Sequence, residues 1–131
     1  MRWTRAGAGC LAAAAIAVSL SGLTLAPTVG AGDSGELIFA AQTLGIPHPP
    51  GYPVWVLLAR VATLAPLGSV ALRVNALSAV LAALGVGLFY LLAARTGLSR
   101  GPRAAATALF AGSTMVWQSA VQAEVYSLAT A

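Results

Sequence analysis

The stretch Val74–Ala94 limits this chain more than any other, because it carries no charged side chain from end to end. As a helix rising 1.5 Å per residue it reaches about 30 Å, the thickness of a bilayer's hydrocarbon core. Lipid offers the backbone no hydrogen-bond partners, so at this length the run must be helical. Two further stretches read the same way, Ala6–Pro27 and about Ala104 to Val121. Charge is scarce around them. Charged residues make up 8% of the chain, against about 25% in an ordinary globular domain, and the mean hydropathy is +0.86. So few charges cannot cover a water-facing surface. The pattern predicts an all-α, polytopic transmembrane helical protein whose first partner is the lipid bilayer.

The distribution of arginine sets the expected topology. The net charge of +4 comes from seven arginines with no lysine, and they form no basic patch interleaved with aromatics, so nucleic acid is not an expected partner. With spans at about 6–27, 74–94 and 104–121, Arg2, Arg5, Arg95, Arg100 and Arg103 fall on one side of the membrane. The positive-inside rule makes that side cytoplasmic. The apolar segment Pro53–Ala65 is too short to cross and carries Arg60 midway. It is predicted to lie in the interface with Arg60 snorkelling. Counting it as a span would move three arginines outside. The alternative for the N-terminus is a cleaved signal peptide ending near Val29-Gly30-Ala31-Gly32. Cys10 stands alone, which excludes an intramolecular disulfide.

This topology gathers the rare polar residues into an extracytoplasmic loop, about 28–73. Asp33 is the only aspartate and His48 the only histidine, and Glu36 and Glu124 are the two glutamates. Asp33 and Glu36 have the spacing of a capping box, which predicts a helix from Asp33 to about Leu44, stopped by Gly45. Pro47, Pro49, Pro50 and Pro53 then stiffen the backbone on both sides of His48. Pro53 suits the first turn of the next helix, and Ser69 can cap the long one after it. Trp117, Tyr126, Tyr52 and Trp55 read as interface aromatics. The run Glu124-Val125-Tyr126-Ser127-Leu128-Ala129 reads as the start of another element, so the chain is expected to be a fragment.

Four motifs in order carry a family resemblance: Asp33-Ser34-Gly35-Glu36-Leu37, Leu44-Gly45-Ile46-Pro47-His48-Pro49-Pro50-Gly51-Tyr52-Pro53, Arg73-Val74-Asn75-Ala76-Leu77-Ser78, and Trp117 with Ala123-Glu124-Val125-Tyr126-Ser127-Leu128. Together they resemble the N-terminal part of the DUF2723 family, which is similar to protein O-mannosyltransferases and grouped with the GT-C membrane glycosyltransferases. The resemblance implies an enzyme that takes a sugar, mannose by analogy, from a polyprenyl-phosphate donor. It passes the sugar to a hydroxyl acceptor, such as a protein Ser or Thr, on the extracytoplasmic face. By position Asp33 is then the catalytic carboxylate and Glu36 the second one. His48, Tyr52, Arg73 and Glu124 are the candidate substrate-binding residues.

Each assignment has a structural alternative. Asp33 and Glu36 could simply cap a helix. His48 could be a histidine pinned between prolines, or a ligand of the donor phosphate. Arg73 could bind a lipid phosphate, anchor its helix at headgroups or pair with Glu124, for which Arg60 is another candidate partner. Asn75 could hydrogen-bond between helices. A divalent metal on Asp33, Glu36 and His48 is conceivable, although no tight ligand spacing supports it; the cofactor expected is the lipid-linked donor itself. The competing class is a non-enzymatic multi-span protein, a transporter or scaffold.

Overall fold

The computed structural model describes residues 2–131, without the side chains of residues 2–5, so the side chains of Arg2 and Arg5, expected on the cytoplasmic side, lie outside that description. Seven helices follow in order: α1 (Arg2–Leu23), α2 (Ser34–Thr43), α3 (Pro53–Thr63), α4 (Val70–Arg95), α5 (Arg100–Ala111), α6 (Thr114–Val121) and α7 (Tyr126–Ala129). The described residues form no strand. The chain is all-helical, and two helices are long and apolar enough to cross a membrane: the Ala6–Leu23 part of α1, and α4.

α4 is the axis on which the other six helices pack. Ser69 caps it as its sequence suggests, with Oγ accepting from the Leu72 N–H at 3.1 Å. α1 lies along α4 in the opposite direction. Near one end Gly9 faces the ring of Tyr90, and Gly87 faces Cys10 and Ala14. At the other end the chain leaving α1 meets Asn75. A Cβ on Gly9 or Gly87 would intrude on the facing helix, so these glycines set how closely the two helices approach. The outward residues of α1 are apolar, with Leu11, Ile16, Leu20 and Leu23 all exposed. A water-facing helix would carry polar groups there.

The expected third span departs from expectation. Residues 104–121 are divided between α5 and α6, and no single helix of membrane length covers them. The break is at Gly112-Ser113. Ser113 turns to an extended conformation (ψ 141°), and both its N–H and its Oγ bond the carbonyl of Phe110. That local closure ends α5 and separates it from α6.

The hydrophobic core sits at the end opposite the Arg95–Arg103 turn. Leu37, Ile38, Trp55, Val56, Val74 and Leu81 are buried there, on α2, α3 and α4. Trp55 is a core residue at 1% exposure, not the interface anchor expected of it. Tyr126 is exposed, as an interfacial aromatic would be. α3 has eleven residues, about 16 Å at the helical rise, too short to span. Arg60 does not reach outward: its Nη1 donates to the Gln42 carbonyl at 2.8 Å, tying α3 to the end of α2. α2 ends on Leu44 rather than on a glycine, and Leu44 takes the left-handed conformation (φ 54°).

One buried side chain joins the segments at this end. Asn75 is fully buried; its Nδ2 donates to the carbonyls of Ala26 (2.8 Å) and Thr28 (2.9 Å), and its Oδ1 accepts from the Ala123 N–H (2.8 Å). Replacing it by Leu strands two carbonyls and one N–H, each costing about 1–3 kcal/mol when buried. Asn75→Leu is therefore expected to destabilise the protein by about 3 kcal/mol or more, read as a fall in thermal midpoint in detergent micelles. A change within about 0.5 kcal/mol, the scale of an ordinary surface substitution, would remove Asn75 from this role.

Candidate functional site

The site is built from the first turn of α2, the proline loop after it and the link between α6 and α7. Asp33 is the N-cap residue of α2, and its carbonyl accepts the Leu37 N–H. Ser34 is buried and its Oγ accepts the Gly30 N–H at 3.1 Å, which fixes the approach to Asp33. The capping box is not formed, because the Asp33 side chain makes no capping hydrogen bond. Glu36 turns the other way instead. Its Oε1 accepts the backbone N–H of His48 at 2.7 Å, and its Oε2 lies 2.8 Å from His48 Nδ1. A two-point, charge-assisted clasp outweighs one contact to a helix N-terminus.

The proline loop is shaped to present that histidine. His48 to Gly51 closes a turn, with the Gly51 N–H on the His48 carbonyl at 3.0 Å and a cis bond between Pro49 and Pro50. Tyr52 is left-handed (φ 43°), unusual for a residue with a Cβ. It directly precedes Pro53, the first residue of α3. The Tyr52 hydroxyl lies 3.4 Å from His48 Nε2, and the two rings meet edge to face at 5.5 Å. Asp33 Oδ2 is 3.8 Å from the same nitrogen. With Nδ1 held by Glu36, Nε2 is the free end of the imidazole, facing Asp33 and Tyr52.

Electrostatics follow from this placement. The hydrogen bond to Glu36 raises the pKa of His48; burial opposes it, and the charges of Glu36, Asp33 and Glu124 add to the rise. The hydrogen bonds from the His48 ring and backbone lower the pKa of Glu36. Glu124 thus acts on His48 from the far end of the chain. Its backbone N–H is held by Ser78 Oγ on α4 at 3.3 Å, and its Oε1 accepts the Val125 N–H. Asp33 is the most open of the group, its side chain 62% exposed, within reach of a bulky substrate.

Of the six candidate site residues, four come into contact: Asp33, Glu36, His48 and Tyr52; Glu124 acts on His48 through its charge alone. Arg73 does not join them. Its Nε, Nη1 and Nη2 donate to the carbonyls of Leu67 (2.6 Å), Thr63 (2.6 Å) and Gly68 (2.8 Å). The carbonyl of Thr63 ends α3 and those of Leu67 and Gly68 lie in the link to α4, and a guanidinium fork satisfies all three. Neither Arg73 nor Arg60 pairs with Glu124 among the contacts described. Sequence reasoning overlooked Ser34 and Ser78, two buried serines that hold the backbone beside Asp33 and Glu124. The Ser34 signal was its place beside Asp33, and the Ser78 signal its spacing of one turn from Asn75.

Ligand atoms of Asp33, Glu36 and His48 lie within 4.8 Å of one another. A divalent cation could use them with solvent completing its shell. Glu36 would first have to release Nδ1, which leaves Asp33 and Nε2 as the ready donors. That is half the set of a closed zinc site.

The described residues thus form an all-helical unit with two membrane-length helices and an open carboxylate–imidazole cluster at one end. Residues 33–131 match the family described as the protein O-mannosyl-transferase TMEM260 N-terminal domain, and the chain belongs to that family. It is 42% identical to the mouse protein O-mannosyl-transferase TMEM260 over 127 residues, 95% of this chain and 18% of the relative. The protein O-mannosyl-transferase tmem260 of Dictyostelium discoideum is 29% identical over 109 residues, 81% of this chain and 13% of the relative. The chain therefore spans less than a fifth of the length of either relative. No solved structure matches it significantly.

The His48–Glu36 clasp has a testable sign. His48's pKa is raised, so pairing stabilises fully below the ordinary histidine value near 6.5 and fades as pH rises through the raised value. Glu36's pKa is lowered, so its contribution is present above the ordinary carboxylate range and lost as pH falls through the lowered value. Glu36→Gln is expected to bring the His48 titration, followed by NMR of the imidazole, back down toward its ordinary value. An unchanged titration would mean that Glu36 does not hold the ring.

Proposed function

We propose that this chain is the opening part of a GT-C-type membrane glycosyltransferase, one that moves mannose from a polyprenyl-phosphate donor to a hydroxyl acceptor such as a protein Ser or Thr. The observation that carries the reading is the convergence of Asp33, His48 and Glu36 at one end of the antiparallel pair α1–α4. The names of the relatives support mannosyl transfer as the reaction class. Asp33 is the general base. Its open carboxylate takes the acceptor's hydroxyl proton as that oxygen attacks the anomeric carbon. The bond from that carbon to the phosphate oxygen breaks, and its electron pair leaves with the polyprenyl phosphate. His48, whose carboxylate neighbours favour its protonated form, faces the departing phosphate through Nε2. Glu36 orients the imidazole, and the Tyr52 hydroxyl lies beside Nε2 for a donor oxygen.

The charges support an orientation. Arg95, Arg100 and Arg103 stand at the end of α4 that meets the N-terminal half of α1, and the carboxylates stand at the other end. By the positive-inside rule the arginine end and the N-terminus are cytoplasmic, and the cluster is extracytoplasmic. α1 and α4 cross the bilayer in this reading.

The test supplies membranes carrying the full-length gene product with radiolabelled polyprenyl-phosphate mannose and follows label into protein. Asp33→Asn is expected to reduce transfer at least about 100-fold, the usual contribution of a positioned base. Equal transfer by both forms would make Asp33 a helix-start residue only. No transfer by the wild type would favour the non-enzymatic, multi-span alternative.

A further inference from the structure

Outside the carboxylate cluster, an apolar groove of about 430 Å³ runs between α1, α4, α5 and α6. Small side chains such as Ala13, Ala17, Ala83 and Ala108 hollow it out, and Tyr90 and Trp117 bound it. Along α1 the lining extends from Gly9 to Ser21, about 18 Å at the helical rise. One leaflet of a bilayer has a hydrocarbon depth of about 15 Å, half the core. The groove is thus as long as one leaflet is deep.

Its Gly9–Tyr90 end is headed by arginine. The Arg103 guanidinium lies 5.2 Å over the centre of the Tyr90 ring, and its Nη2 donates to the Leu98 carbonyl at 2.6 Å. Arg103 Nε is buried and finds no acceptor among the described residues. Arg100 and Arg95 are exposed in the same turn region. A buried N–H without an acceptor is costly, and the guanidinium fork matches phosphate oxygens best.

We propose that this groove binds one anionic phospholipid, an acyl chain lying along α1 and the phosphate accepting from Arg103. Charge complementarity selects the occupant: the groove is apolar along its length and basic only at its head, where basic pockets between membrane helices take anionic headgroups. The inference rests on α1 and α4 crossing a bilayer as proposed above. It concerns a site separate from the carboxylate cluster.

Native mass spectrometry of the full-length protein released from nanodiscs of mixed phosphatidylcholine and phosphatidylglycerol tests it. The wild type is expected to retain one phosphatidylglycerol. Arg103→Gln should reduce retention about five-fold, the loss of one headgroup arginine. Ala108→Leu, which fills the groove and keeps every charge, should reduce it as well. Equal retention in all three forms, equal retention of phosphatidylcholine, or no retained lipid would overturn the proposal. Release of the wild-type protein by alkaline carbonate would overturn the membrane placement itself, and the lipid site with it.

Discussion

The side-chain amide of Asn75 is the interaction on which the polar end of this molecule depends. It lies fully buried in the first turns of α4 and uses three of its four hydrogen-bonding positions on backbone groups. Two of those groups belong to the chain leaving α1 and one to the link between α6 and α7. A buried amide is costly unless satisfied, and this arrangement of the three segments satisfies it. Ser78, one turn further along α4, holds the next residue of the link, Glu124. The long helix therefore positions two distant stretches of sequence at once, the loop that carries Asp33 and the segment that carries Glu124.

Charge at that end is divided by helix geometry. Both nearby arginines serve helix C-termini, where unpaired carbonyls and the negative end of the helix dipole attract a cation. Arg60 takes the end of α2 and Arg73 the end of α3. Neither reaches the carboxylates, so His48 is left to meet them. A permanent guanidinium there would neutralise the acids at every pH. An imidazole instead leaves a group whose proton can move in the physiological range. The proline loop, the turn from His48 to Gly51 and the clasp by Glu36 together hold that imidazole in one place.

Most elements were legible from local sequence. The uncharged run gave α4, Ser69 its cap, and Pro53 the start of α3, because each signal acts over a few residues. The failures have two causes, a partner beyond the reach of spacing and a local break that averaging hides. The spacing of Asp33 and Glu36 is that of a capping box, but Glu36 is engaged by His48, twelve residues on, and spacing cannot report a partner that distant. Arg73 sits where it could meet a lipid phosphate, yet the carbonyls at the end of α3 and in the link after it lie nearer. The stretch 104–121 is apolar enough to span, but Gly112-Ser113 closes back on Phe110 and divides it. A glycine-serine pair was visible there, although hydropathy averaged over it.

The sequence by itself determined the helical class, the apolar faces and the separation of arginines from carboxylates, because these follow from composition and from periodicities of a few residues. The tertiary structure alone decided which polar groups meet. Asp33, His48 and Glu124 are far apart in the chain, and where each one sits depends on how α1 and the α6–α7 link dock on α4. That docking is set by close glycine contacts and one buried amide, whose partners are backbone atoms that no residue pattern identifies.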